Sequence, residues 1–420
     1  MSNKTEANPM KDHGKREWKP TLRFAEFRDK DGWEEYTGDR LFEQINDRDP
    51  DSNLPVLAIT QEYGAIPRDA IDYHVSVTDK SIESYKVVQV GDFIISLRSF
   101  QGGIEYSQYH GICSPAYVIL RRRIEGNNSY FKHYLKTDRF IKLLTKNLEG
   151  LRDGKMVSYA QFSELSIPVP SPTEQQEIAE CLTSLDELIA AHVQKLDALK
   201  AHKKGLMQQL FPREGQALPS LRFPEFHNGG SWAEKTLGEI ADILMCKRIF
   251  SEETNDRGGV PFYKIGTLGG KPDAFISGEL FKEYKSKYNY PRKGEVLITC
   301  SGTVGKCIPF DGNDAYYQDS NIVWIDNPTL EVSNELMLRI LINVDWGKLN
   351  STTISRIYGP DLRNLLIRFP VERMEQQKIA DSLTSLDDLI TFQAQELEAL
   401  KTHKKGLMQQ LFPSTEEVEA

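Results

Sequence analysis

A run of 39 residues occurs twice in this chain, and a duplication of that strength fixes the architecture before any local structure is read. Residues 174–212, EQQEIAECLTSLDELIAAHVQKLDALKAHKKGLMQQLFP, return as residues 375–413, EQQKIADSLTSLDDLITFQAQELEALKTHKKGLMQQLFP, with 28 of 39 positions identical. A shorter motif opens each half: Leu22-Arg23-Phe24-Ala25-Glu26-Phe27 followed by Trp33, and Leu221-Arg222-Phe223-Pro224-Glu225-Phe226 followed by Trp232 at the same spacing. The 420 residues therefore divide into two tandem halves, each about the size of one domain. The blocks between the repeated parts, near 34–168 and 233–369, share only a faint frame, as in Gly91-Asp92-Phe93-Ile94-Ile95 against Gly294-Glu295-Val296-Leu297-Ile298. Short β-branched runs and turn residues give both blocks a mixed α/β reading, with helical stretches near 130–146 and 333–349.

The repeated run is a helix pattern. Ile178, Leu182, Leu185, Ile189, Leu196 and Leu199 step by fours and threes, and Ile379, Leu383, Leu386, Ile390, Leu397 and Leu400 repeat the pattern; polar residues break both copies at matching places, His192 and Lys203, Gln393 and Lys404. Spacing close to 3.5 residues predicts a supercoiled helix pair, with polar seam residues fixing register. Prolines bound both helices: Pro168, Pro170 and Pro172, then Pro212, and Pro370, then Pro413. The expected divisions are a polar tail at 1–17, a first variable domain at 18–170, a helix at 171–212, a second domain at 213–370, a second helix at 371–413 and an acidic tail at 414–420.

Catalytic signatures fail on inspection. Gly302-Thr303-Val304-Gly305-Lys306 resembles a phosphate loop, but Cys300 stands where the first glycine is needed and Cys307 where a hydroxyl is needed. Its glycines suit a backbone packed close to a partner. Pro272-Asp273 with Glu283 and Lys285 has the spacing of a Mg²⁺-dependent nuclease, yet residues 281–287 read as a polar loop and thus as solvated charge. Five cysteines without a C-x-x-C pair indicate neither a disulfide framework nor a zinc ribbon, and no metal site is expected. Apolar runs are strand-sized and the first residues are polar, so the expectation is a cytoplasmic chain with no membrane association. A net charge of −9 argues against a nonspecific polyanion binder.

The variable blocks do carry side chains that read base edges and phosphates. Arg98, Ser99 and Gln101 share a Gly/Ser-rich turn; Ser301, Thr303 and Lys306 occupy the matching turn of the second half, followed by Gln318 and Asn321. Arg152, Lys155 and Arg356 precede the helices, and Arg121-Arg122-Arg123 with Lys132, Lys136, Arg139, Lys142 and Lys146 form a basic series suited to phosphates.

Two divergent blocks, each opened by L-R-F-x-E-F...W and closed by E-Q-Q-x-I-A into a leucine-spaced helix ending K-K-G-L-M-Q-Q-L-F-P, resemble the specificity subunit of type I restriction-modification systems. The resemblance runs from about Leu22 to Pro413. It implies an α+β chain: two tandem mixed α/β target recognition domains separated by two long antiparallel coiled-coil helices, related by a pseudo-twofold repeat. Each domain would read one half of a bipartite, asymmetric site in double-stranded DNA, with helix length setting the spacer between the halves. It further implies a non-catalytic chain without a cofactor of its own. Two methyltransferase subunits would bring S-adenosylmethionine for adenine methylation, and restriction/translocase subunits would bring ATP and Mg²⁺. The alternatives are a stand-alone Mg²⁺-dependent nuclease and a coiled-coil scaffold that does not touch DNA.

Overall fold

The computed structural model describes residues 18–48, 53–71, 84–146, 157–213, 215–347 and 356–413. The chain forms two compact units that do not follow its linear order: one comprises residues 1–193 with 395–420, the other residues 194–394. The repeated runs form helices of 39 residues each, Pro172–Leu210 and Arg373–Leu411, each about 58 Å long at 1.5 Å per residue. Each unit contains the first half of one long helix and the second half of the other.

Within each unit the two helix halves run antiparallel. In the first, Ile178, Ala179 and Leu182 share a core with Leu411 and Phe412, while Asp186 pairs with Lys404. In the second, Met207, Leu210 and Phe211 share a core with Ile379 and Leu383, while Asp387 pairs with Lys203. The lysines that interrupt the leucine pattern are thus ion-pair partners of aspartates on the facing helix, which admits one register and penalises a slip that would strand a half-buried charge. All twelve expected seam leucines and isoleucines are buried or half-buried. Gln393, at the other interruption, is buried, and His192 lies 3.9 Å from Glu396.

The variable blocks are built to one plan. Strand Glu34–Thr37 pairs antiparallel with Ser166–Val169, and Ala233–Thr236 with Leu366–Phe369 in the same register, so the two ends of each block meet. Inside the first block lies a four-stranded antiparallel sheet in the order Phe42–Ile45, Val118–Arg122, Phe93–Ile95, Glu105–Tyr106; the second repeats it as Asp242–Leu244, Ile322–Asp326, Val296–Thr299, Cys307–Pro309. A second, smaller four-stranded sheet contains Thr254–Asn255, Phe275–Ile276, Val260–Tyr263 and Tyr316–Tyr317 of the second block; among the described residues of the first block stand instead two antiparallel pairs, the hairpin Leu57–Thr60 with Gly64–Pro67 and the more distant pair Lys86–Val88 with Gly111–Cys113. The two blocks therefore share a frame and differ in what hangs on it.

Helices Asn128–Tyr134, Asp138–Thr145 and Asn334–Ile342 fall where periodicity places them. Residues 281–287 do not match the loop expected of them. Gly278–Lys287 is a helix capped by the Ser277 side chain, which accepts from Leu280 N at 3.1 Å, and Phe281 buries beneath it. A single apolar anchor in a lysine-rich run is a weak periodic signal, and the cap supplies the rest.

The phosphate-loop look-alike is a packing device. Gly305 has φ +80°, and a Cβ there would lie 2.1 Å from Trp346 Cδ1, so the close approach its glycine allows is to a ring of the same unit rather than to a partner. Gly305→Ala combines left-handed strain with a clash against a ring, and we expect a loss of about 2–4 kcal/mol. Calorimetry should show the transition of the second unit lowered and that of the first unchanged.

Candidate nucleic-acid interface

Strand polarity gathers the candidate turns at one end of each sheet. In the second unit Leu244 faces Trp324, Thr299 faces Ile322 and Ile298 faces Cys307, so the segments 245–250, 300–306 and 318–321 all leave the sheet at that end. In the first, Ile45 faces Ile119, Ile95 faces Val118 and Ile94 faces Glu105, which puts the turn 96–103 at the corresponding end.

Arg98 and Gln101 are exposed on the first turn, around the short helix Ser99–Gly102. The Gln61 side-chain amide donates to the Arg98 carbonyl at 3.1 Å and braces the turn from the neighbouring hairpin. Ser99, expected to offer its hydroxyl outward, is buried instead and accepts from Ser96 N at 2.9 Å. On the second turn Thr303 is exposed, whereas Ser301 Oγ donates to Asn321 Oδ1 at 2.7 Å, tying two expected contact residues to each other. The Lys306 ammonium donates to the Leu268 carbonyl, and Gln318 Oε1 accepts from Ile265 N at 3.4 Å. These side chains shape the surface as well as lining it. Arg356 bridges its backbone to Ser301 and lies 5.6 Å from the Tyr358 ring centre. Arg152 and Lys155 lie outside the described residues.

The expected phosphate-binding series is largely spent inside the first unit. Arg121 makes a bidentate pair with buried Asp92, 2.8 Å on each arm, and Arg122 donates to Asn128 and the Ile124 carbonyl. Both lie toward the opposite end of the sheet from the turns. Lys136 pairs with buried Glu105; burial pulls the lysine down and pushes the carboxyl up, each opposed by the other's charge. Arg139 lies 4.2 Å from the Trp18 ring centre and donates to the Pro413 carbonyl at 2.7 Å. Lys132 reaches Asp186 at 3.6 Å, beside His133, whose imidazole is pushed down to about 3 by burial and by the Lys404 charge. Lys142 and Lys146 remain exposed.

The residues of the nuclease-like spacing do not converge. Asp273 pairs with Lys264, Glu283 with Lys287 and Lys285 with Asp314. Among the described residues no cluster of three or more His, Cys, Asp or Glu side chains is placed to hold a metal ion, and no helix is long and apolar enough to cross a membrane. All five cysteines are free.

The opening and closing motifs meet at a hub that sequence spacing does not disclose. Glu174, buried, accepts from Arg23 Nε and Nη2 at 2.7 Å each and from Trp33 Nε1 at 3.2 Å. Glu375 repeats this with Arg222 at 2.7 Å twice and Trp232 at 3.3 Å. The next residue ties the variable block to the helix start: Gln175 accepts from Asn127 N at 3.0 Å and donates to the Pro170 carbonyl, and Gln376 accepts from Ser333 N at 2.8 Å and donates to the Pro370 carbonyl. Leu22 N caps the Gln410 carbonyl and Leu221 N the Gln209 carbonyl, both at 3.0 Å, so the opening motif of each unit seats on the last turn of the long helix that ends there.

Duplicated α/β blocks, each presenting variable turns at one sheet end and each locked to a long-helix frame by the same hub, define a two-module recognition protein with one scaffold and two different reading surfaces. The model of the type I restriction modification DNA specificity domain matches residues 31–201 and again residues 230–402, and the chain belongs to that family. Among its relatives is a type I restriction enzyme specificity subunit of Haemophilus influenzae, 37% identical over 263 residues that make up 63% of this chain and 65% of the relative. Another, from Methanocaldococcus jannaschii, is 24% identical over 358 residues and 80% of both chains. The crystal structure of the type I restriction-modification S subunit from M. genitalium is similar in fold, with TM-score 0.57 at 17% identity over 94% of this chain and 99% of that one.

Proposed function

We propose that this chain is the DNA specificity subunit of a type I restriction-modification complex, each unit reading one half of a bipartite, asymmetric site. The observation that carries this reading is the pairing of a repeated frame with divergent turns: the Arg-Glu-Trp hub, the strand pair and the Asp-Lys pairs of the helix halves recur in both units, while the segments at the turn-bearing sheet end do not. Function that must differ between the units belongs in those turns. Arg98, Gln101, Thr303 and Lys306 are the exposed residues of the expected set there, Lys306 also donating to the Leu268 carbonyl, with Ser301, Asn321, Gln318 and Gln61 holding the backbone that carries them. The chain itself does no chemistry; S-adenosylmethionine, ATP and Mg²⁺ belong on methyltransferase and restriction subunits, the methyltransferases supplying much of the affinity for the DNA backbone that a −9 chain lacks.

Selection from a random duplex library tests the reading. The complex of this chain with its co-expressed methyltransferase subunits should enrich two short motifs separated by a fixed spacer, and the methyltransferase alone should enrich none. Enrichment of the same sequences without this chain would refute it.

A further inference from the structure

One exposed cation at the reading end of the second sheet is held in a way that solvated cations are not. Arg248 lies on the segment that leaves strand Asp242–Leu244, between buried anchors Cys246 and Ile249, and its side chain is 59% exposed. Its Nε nevertheless donates to Asp319 Oδ2 at 3.0 Å, and that carboxylate is only 18% exposed. Asp319 sits in a braced turn. Gln318 N donates to the Tyr263 carbonyl at 2.9 Å, Asn321 N to the Asp319 carbonyl at 2.6 Å, and Ser301 Oγ to Asn321 Oδ1 at 2.7 Å. Ser320 has φ +53°, a strained value for a residue with a Cβ, which persists because the surrounding bonds over-determine it.

We infer that Arg248 reads a guanine in the second half-site and that Asp319 is its positioning residue. With Nε committed to Asp319, the guanidinium edge formed by Nη1 and Nη2 retains two parallel donors on a side chain that is 59% exposed. Guanine offers two acceptors, O6 and N7, on its major-groove edge, whereas adenine sets a donor beside N7 and the pyrimidines offer no such pair. A leashed fork also loses less rotamer freedom on docking than a solvated arginine. The inference rests on the proposed function and names one contact within it.

The test is long-read mapping of methylated adenine in the source cells after allelic replacement by Arg248→Gln, Arg248→Lys or Asp319→Asn, with methylation rates measured on duplexes differing at the single guanine. The wild-type motif should contain a guanine in the second half-site. Both Arg248 variants should relax that one position, with discrimination falling by about 5- to 150-fold, and Asp319→Asn should relax the same position by less. The first half-site should not change. An unchanged motif in Arg248→Gln would overturn the assignment. So would a methylation rate lowered equally on all duplexes with an intact motif in Arg248→Gln, which would mark a phosphate contact, or a lowered melting temperature with an intact motif, which would mark a structural pair. Absence of chain-dependent methylation in the wild type would instead refute the specificity-subunit reading, and the inference with it.

Discussion

Replacing residues 34–168 with the corresponding block of another family member should change the bases in one half of the methylated site and leave the other half as it was. The physical basis is containment. The block starts and ends in strands that pair with each other, Glu34–Thr37 with Ser166–Val169, so a donor block arrives with its two ends already joined. The residues that seat it, Arg23, Trp33, Glu174 and Gln175, lie outside the exchanged segment and stay in place. One requirement travels with the donor: its equivalents of Tyr130 and Tyr134 must pack against Phe412, whose ring lies 5.7 and 5.6 Å from theirs. The readout is the methylated-adenine motif in cells carrying the exchanged chain. Changes in both half-sites would mean that the units do not read independently.

The largest loss of stability is expected from Glu174→Ala, with the same loss in the other unit from Glu375→Ala. Each carboxylate is 1% exposed and receives three charge-assisted or indole hydrogen bonds, so truncation leaves a nearly buried guanidinium and a buried indole N–H without their acceptor. Removing one partner of a buried ion pair costs about 3–5 kcal/mol, far more than the pair's net contribution against an apolar replacement. Because each hub lies in one unit, each variant should lower a different calorimetric transition. A shift equivalent to under about 1 kcal/mol, as for a surface pair, would show that the hub does not hold the opening motif. Restriction and methylation should fall with stability rather than with base identity, which separates these variants from Arg248→Gln.

What the sequence reveals here follows from the range of each interaction. The long helices are legible because leucines three and four residues apart report local geometry, and duplication makes the polar interruptions visible as a pattern. Their meaning is not: Lys203 and Asp387 lie 184 residues apart, and only the antiparallel register brings them together. Arg23 and Trp33 stand out by repetition, yet their common partner Glu174 is separated from Arg23 by 151 residues. Among the candidate contacts, exposure was the hidden variable. Ser99 and Arg98 are neighbours on one turn, but the first half-turn of a short helix sends one hydroxyl inward and one guanidinium outward. The basic series misleads for a related reason, since Asp92, Glu105 and Asp186 draw Arg121, Lys136 and Lys132 into the unit from remote parts of the chain. Arg248 is not legible as a contact in the sequence, because its partner is 71 residues away in a turn whose strained Ser320 has no sequence signature.

Methylated adenine across the genome, compared between cells with this chain and cells lacking only this chain, tests the central claim most directly. A single bipartite motif with two unlike halves and a fixed spacer, present with the chain and gone without it, is the expected result. Persistence of the same motif in its absence, or a continuous symmetric motif that depends on it, would contradict the assignment of site recognition to these two units.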